Sequence, residues 1–118
     1  MFAGESLFMT TYRAEKDGAF AAFSSTAPGE IKAIDLRGGK NIVCQKGAFL
    51  CAEDCIDVKA VFTKKLSAGL FGGEGLILQQ INGEGTVFLE IDGDCIEKEL
   101  APGEVIKVDT GNVATENP

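Results

Sequence analysis

The chain has 118 residues, 45% of them apolar with eight Phe and no Trp, which is enough for one domain with a workable core and too short for two. Its formal charge of −7 is uneven, because residues 1–59 carry seven Lys or Arg against eight acids whereas 60–118 carry four against ten. Such a surface repels phosphate backbones and disfavours nucleic acid, and the lack of any His removes the commonest metal ligand and general base.

In chain order, Met1–Tyr12 reads as a strand with an early glycine turn, and Arg13–Gly18 as a polar loop. Ala19–Phe23 is a short apolar strand, too brief and too glycine-bounded for a helix. Pro28-Gly29 suits the centre of a type II turn. Glu30–Leu36 then alternates, with a slip at Ala33-Ile34 that predicts a bulge. Gly38-Gly39 turns the chain into a strand at Asn41–Cys44, and Lys46-Gly47 turns it again into Ala48–Ala52. Ile56, Val58, Ala60 and Phe62 alternate as a half-buried strand, and Lys64–Gly69 is a linker with room for one helical turn. Further on, Thr86–Ile91 and Cys95–Leu100 flank Asp92-Gly93-Asp94, a strong hairpin signal because Asp and Gly tolerate positive φ. Turns at Pro102-Gly103 and Asp109–Asn112 bracket a strand at Val105–Val108, and Val113 starts a last one.

Two stretches repeat. Phe2-Ala-Gly-Glu-Ser-Leu7 returns as Phe71-Gly-Gly-Glu-Gly-Leu76, and Asp35–Gly47 aligns with Glu99–Gly111 at an offset of 64. Gly18–Phe23 likewise faces Gly85–Glu90. The expected organisation is one all-β domain over 1–118, with repeat one at about 2–65 and a truncated repeat two at about 71–118. About ten short strands with fifteen glycines predict a rolled β-sandwich or double-stranded β-helix. Repeat two has no counterpart of Glu53–Phe62, which leaves an expected open sheet edge and self-association as its remedy.

No site for chemistry emerges. Glu5 and Glu74 hold equivalent places in the repeated hexamers, but a carboxylate pair needs proximity and a raised pKa, and acceptance of amides from each one's own glycine turn is the simpler role. Gly72–Gly75 and Gly83-Glu84-Gly85 lack the phosphate-loop spacing and carry an acid that repels phosphate, so they read as hairpin glycines. Glu90, Asp92, Asp94, Glu97 and Glu99 do not follow a calcium loop and read as an exposed strand face. Cys51 and Cys55 would need two further zinc ligands, so Cys44, Cys51, Cys55 and Cys95 are expected to be structural, buried or half-buried thiols. Ser6, Ser24, Ser25 and Ser67 have no His to activate them. The expectation is therefore no catalytic residue, no metal and no cofactor.

The ordered set Phe2–Phe8, Pro28–Ile31 with Ile34-Asp-Leu36, Gln45–Leu50, Phe71–Leu76, Gly83–Leu89 and Leu100 through Val108–Gly111 resembles the altered-inheritance-of-mitochondria (AIM24-like) family over nearly the whole chain. The resemblance implies a fold akin to the tryptophan RNA-binding attenuation protein, whose relatives form closed oligomers. Eukaryotic members are associated with the mitochondrial inner membrane, and no catalytic residue carries over. Members are usually longer, so a shortened member or a fragment is expected. The apolar runs are too short for a membrane helix and no secretory leader is evident, so the expected compartment is the cytoplasm with reduced thiols. Together these predict no defined biochemical activity. A non-enzymatic, homo-oligomeric scaffold or interaction protein is expected; the alternative is a small-ligand or RNA-binding module at an oligomer groove.

Overall fold

The computed structural model describes residues 9–62 and 77–117. Among these, seven antiparallel strands form two sheets: β1 (Gly29–Asp35), β2 (Asn41–Gln45), β3 (Phe49–Ala52), β4 (Ile56–Phe62), β5 (Ile77–Gly83), β6 (Thr86–Asp92) and β7 (Thr115–Glu116). One sheet runs β1-β6-β3 and the other β4-β5-β2-β7. Successive strands thus alternate between sheets from β1 to β4, and the strands that pair with these four, β5 and β6, are consecutive in the chain. No α-helix occurs among the described residues, which contain 3-10 turns at Lys46–Ala48 and Thr110–Asn112. No described helix is long and apolar enough to cross a membrane.

Side-chain parity sets the core. On β2, Ile42 and Cys44 are buried between half-buried neighbours, and on β6 Val87 and Leu89 are buried. With Leu36, Ala48 and Ile81 they form the core, and Ile34, Phe49, Ala52, Ile56 and Val58 pack against it. Each fully buried Leu, Ile or Val stabilises the fold by about 1.5–3 kcal/mol. Gln79 is also buried, and its Oε1 has no hydrogen-bond partner.

The strands expected over Glu30–Leu36, Asn41–Cys44, Ala48–Ala52, Ile56–Phe62 and Thr86–Ile91 are present within one or two residues. Several expectations need correction. The β1–β6 register is unbroken from Gly29 opposite Asp92 to Asp35 opposite Thr86, so Ala33-Ile34 is not a bulge. Both faces of β1 carry apolar residues, which makes their adjacency compatible with a regular strand. The irregularity lies in β3, between Phe49 and Cys51. Gly29 does not sit in a type II turn; it opens β1.

Asp92-Gly93-Asp94 does not make a hairpin. Both edges of β6 are already occupied, by β1 and β3, and the Gly93 amide donates to the Pro28 carbonyl at 3.0 Å, prolonging the β1–β6 ladder. Residues 95–100 and 105–108 are consequently not strands, nor are 9–12 and 19–23. The aligned blocks therefore differ in conformation: β6 is a ladder strand where 19–23 is not, and β2 is one where 105–109 is not. Both repeated hexamers, with Glu5, Glu74, Ser6, Ser67, Gly72–Gly75 and the 64–69 linker, lie outside the described residues.

Candidate functional site

Two places gather polar or apolar groups. The first is the corner where Glu84-Gly85 carries the chain from β5 in one sheet to β6 in the other, so Gly83 and Gly85 serve a crossing rather than a hairpin. Leu36 N donates to Gly85 O at 2.9 Å, and Glu53 N to Thr86 O at 3.1 Å. Glu53 Oε2 accepts from Thr86 N at 2.5 Å and from Arg37 Nη2 at 3.3 Å, while Arg37 Nη1 reaches Asp35 Oδ1 at 3.2 Å. Gly38 N donates to Glu84 Oε2 at 3.2 Å, and Cys55 Sγ to Glu84 O at 3.3 Å. The Asp35 carboxyl is held below its usual range, chiefly by the Arg37 backbone N–H and secondarily by the guanidinium. At this corner the amides of Gly38 and Thr86, which a phosphate would need, are bonded to the protein's own carboxylates. Gly85 leaves room for two side chains, because a Cβ there would lie 2.5 Å from Cys55 Sγ and 2.6 Å from Glu53 Oε2 and both would have to shift. The corner is thus a clip that ties together the β1–β2, β3–β4 and β5–β6 connections, each of which crosses from one sheet to the other.

The second place is an apolar groove of about 940 Å³. It begins at Ile31 of β1 and Phe88 of β6, on positions alternate to the core residues Ile34, Val87 and Leu89. It continues past Phe49 and Cys51 of the edge strand β3 to Ile56 and Val58 of β4. Segment 9–23 forms its other wall through Met9, Tyr12 and Phe23, and the Tyr12 and Phe23 rings meet edge-on, centroids 5.4 Å apart at 70°. Glu53 and Asp54 are its acidic lining. The groove has no group whose arrangement marks it for bond-making. Its chemistry is that of burial: it can take an apolar ligand or another apolar chain segment.

Sequence reading did not single out this groove. The available signal was apolar residues on both parities of β1 and β6: Ile31 and Ala33 beside Ile34, and Phe88 between Val87 and Leu89.

The remaining candidates are dispersed. Of the acidic run, Glu90 Oε1 accepts from Thr26 Oγ1 at 3.0 Å, and Glu97 lies 3.8 Å from Lys32 Nζ. Among the described residues no three Cys, Asp or Glu side chains gather in a way that could hold a metal ion. All four cysteines are free thiols. Burial pushes Cys44 up to about 11 and raises Cys51, whereas Cys95 is raised first by its hydrogen bond to Glu30. Cys55 is exposed, contrary to the expectation of four buried or half-buried thiols, because it sits in the turn between β3 and β4. Ser25 Oγ donates to the Ala27 carbonyl at 2.8 Å, a turn contact.

The chain's apolar side chains are divided unevenly. Among the described residues, seven form the buried core and ten large apolar ones are exposed, among them Phe20 (92%), Ile96 (94%) and Val105 (82%). Five of the ten, Ile96, Leu100, Val105, Ile106 and Val108, belong to one arm that turns at residues 101–104. Glu104 N donates to Ala101 O at 2.9 Å, Ala101 N to Glu104 Oε2 at 3.0 Å, and Lys98 pairs with Glu104 at 2.9 Å.

No curated protein matches the chain. The family model described as Mitochondrial biogenesis AIM24 matches residues 1–117.

Proposed function

The chain belongs to the mitochondrial biogenesis AIM24 family, and from that premise we propose that it is a non-enzymatic scaffold or interaction protein that associates with further copies of itself. The observation that carries this reading is that, among the described residues, ten large apolar side chains are exposed beside a seven-residue core. Isolated exposed apolar residues are ordinary, but five on one arm amount to a patch of the kind that marks an interface. Among the described residues, β1, β3 and β4 are edge strands, whose outer backbone groups another chain can use. The alternation of β1 to β4 between two sheets is the wiring that a double-stranded β-helix requires, and the recurring sequence blocks support an internal repeat as its origin. Four free thiols, one of them exposed, support a reducing compartment such as the cytoplasm.

Light scattering coupled to size exclusion, across a hundredfold range of concentration, tests the proposal. A defined oligomer is expected, and a monomer throughout overturns it. The groove also favours a second reading, binding of a small apolar ligand, since about 940 Å³ lies at the upper end of ligand-site volumes. Native mass spectrometry of the purified chain would then show a bound small molecule. RNA is opposed by the charge of −7, and a saturable RNA titration is the result that would reverse this.

A further inference from the structure

We propose that the groove of the β1-β6-β3 sheet receives the 95–108 arm of a second copy of this chain. The inference rests on the self-association reading and names its surface. The arm is shaped before it binds, because the hydrogen bonds between Ala101 and Glu104 and the Lys98–Glu104 ion pair fix its turn. Little ordering is left to oppose docking. Yet Ile96 is 94% exposed and Val105 82%, and Leu100, Ile106 and Val108 are only about half covered by their own chain.

The groove presents the complementary deficit. Tyr12 is 67% exposed and Ile31 48%, although both line an apolar recess. Taking large side chains at about 150–250 Å² each, the exposed parts of the arm and groove residues amount to roughly 1,000 Å². Interfaces are about 55–65% apolar, so this corresponds to roughly 1,600 Å² in total, the size of a stable, specific contact. Among the described residues, Asp54, in the groove lining, and Lys107, on the arm, make no ion pair, so each is free to pair across the contact. Two copies can exchange arms reciprocally, or several can pass them round a ring; the contact is the same.

The test uses the full chain and two double variants at exposed positions. Ile96→Asp with Val105→Asp spoils the arm, and Tyr12→Asp with Ile31→Asp spoils the groove. Circular dichroism and denaturant midpoints confirm that each variant still folds. Losing two central apolar anchors should weaken association about a hundredfold or more in each variant. Mixing the two should restore a one-to-one pair, because each supplies what the other lacks. If the arm variant alone loses association while the groove variant keeps it, the arms meet each other and the inference falls; the reverse result, groove on groove, also overturns it. Wild-type assembly unaffected by either variant overturns it while sparing the self-association reading, whereas a monomeric wild-type chain removes both.

Discussion

Replacing Gly85 by Ala tests whether the corner clip, which ties together the connections between the sheets, stabilises the fold. The new methyl would lie 2.6 Å from Glu53 Oε2 and 2.5 Å from Cys55 Sγ, both well inside van der Waals contact. Cys55 is exposed and can swing away at the expense of a weak bond to the Glu84 carbonyl. Glu53 cannot move without releasing the Thr86 amide, and a hydrogen bond to a charged group is worth about 1.5–3 kcal/mol. The φ of Gly85 is not positive, so Ala recovers about 0.4–1 kcal/mol from the stiffer unfolded chain. The net loss should be about 1–2 kcal/mol, a fall in Tm of about 4–8 °C for a chain this long. In a Glu53→Ala background the obstructing carboxylate is gone, and the same change should cost less than about 0.5 kcal/mol. Urea denaturation of the four chains of this cycle, at one fixed low protein concentration so that association does not enter, measures the coupling. A neutral Gly85→Ala, or an equal loss in both backgrounds, refutes the clip.

Leu89→Ala, which empties a fully buried position on the strand beside β3, should cost about 2–5 kcal/mol and leave a chain close to its unfolding threshold; denaturant midpoints check it. Cys44 makes stability depend on alkaline pH. Its thiol keeps its proton in the fold up to about 11 but loses it near 9 when unfolded, so the native state binds more protons in that window and stability falls as pH rises, by about 2–3 kcal/mol between 9 and 11. A Cys44→Ala chain should show a shallower decline over the same range. Alkylation with iodoacetamide at pH 8, followed by peptide mass mapping, should modify exposed Cys55 first and buried Cys44 only on unfolding; early labelling of Cys44 contradicts its place in the core.

Most of the ladder was legible because alternation and turn chemistry agree along Glu30–Leu36, Asn41–Cys44 and Ile56–Phe62. β5 was not read as a strand, and its core face explains why. The inward positions are Gln79 and Ile81, opposite Cys44 and Ile42, while Leu78 and Gln80 lie on the other parity. A buried Gln erases the pattern that would reveal the strand. Cys95–Leu100 failed in the opposite sense: alternation reports a tendency to pair, and β6 had no edge left to offer. The groove was hidden because its residues come from four strands and segment 9–23, a grouping that only the strand order creates.

The placement of β5 and β6 governs how the chain can come into being. Among the described residues, β1 and β3 find their ladder partner only in β6, and β2 and β4 only in β5 apart from the two-residue β7. During synthesis, these four strands therefore cannot form the described ladders with β5 and β6 until residues 77–92 have left the ribosome. Pairings as distant as Gly29 with Asp92 place this topology among the slow folders, in which loop closure precedes any reward. Through that interval the unpaired early strands are exposed to aggregation. Substitutions in 77–92 should accordingly change the folding rate of both sheets together, and those in β1 or β4 chiefly the rate of unfolding.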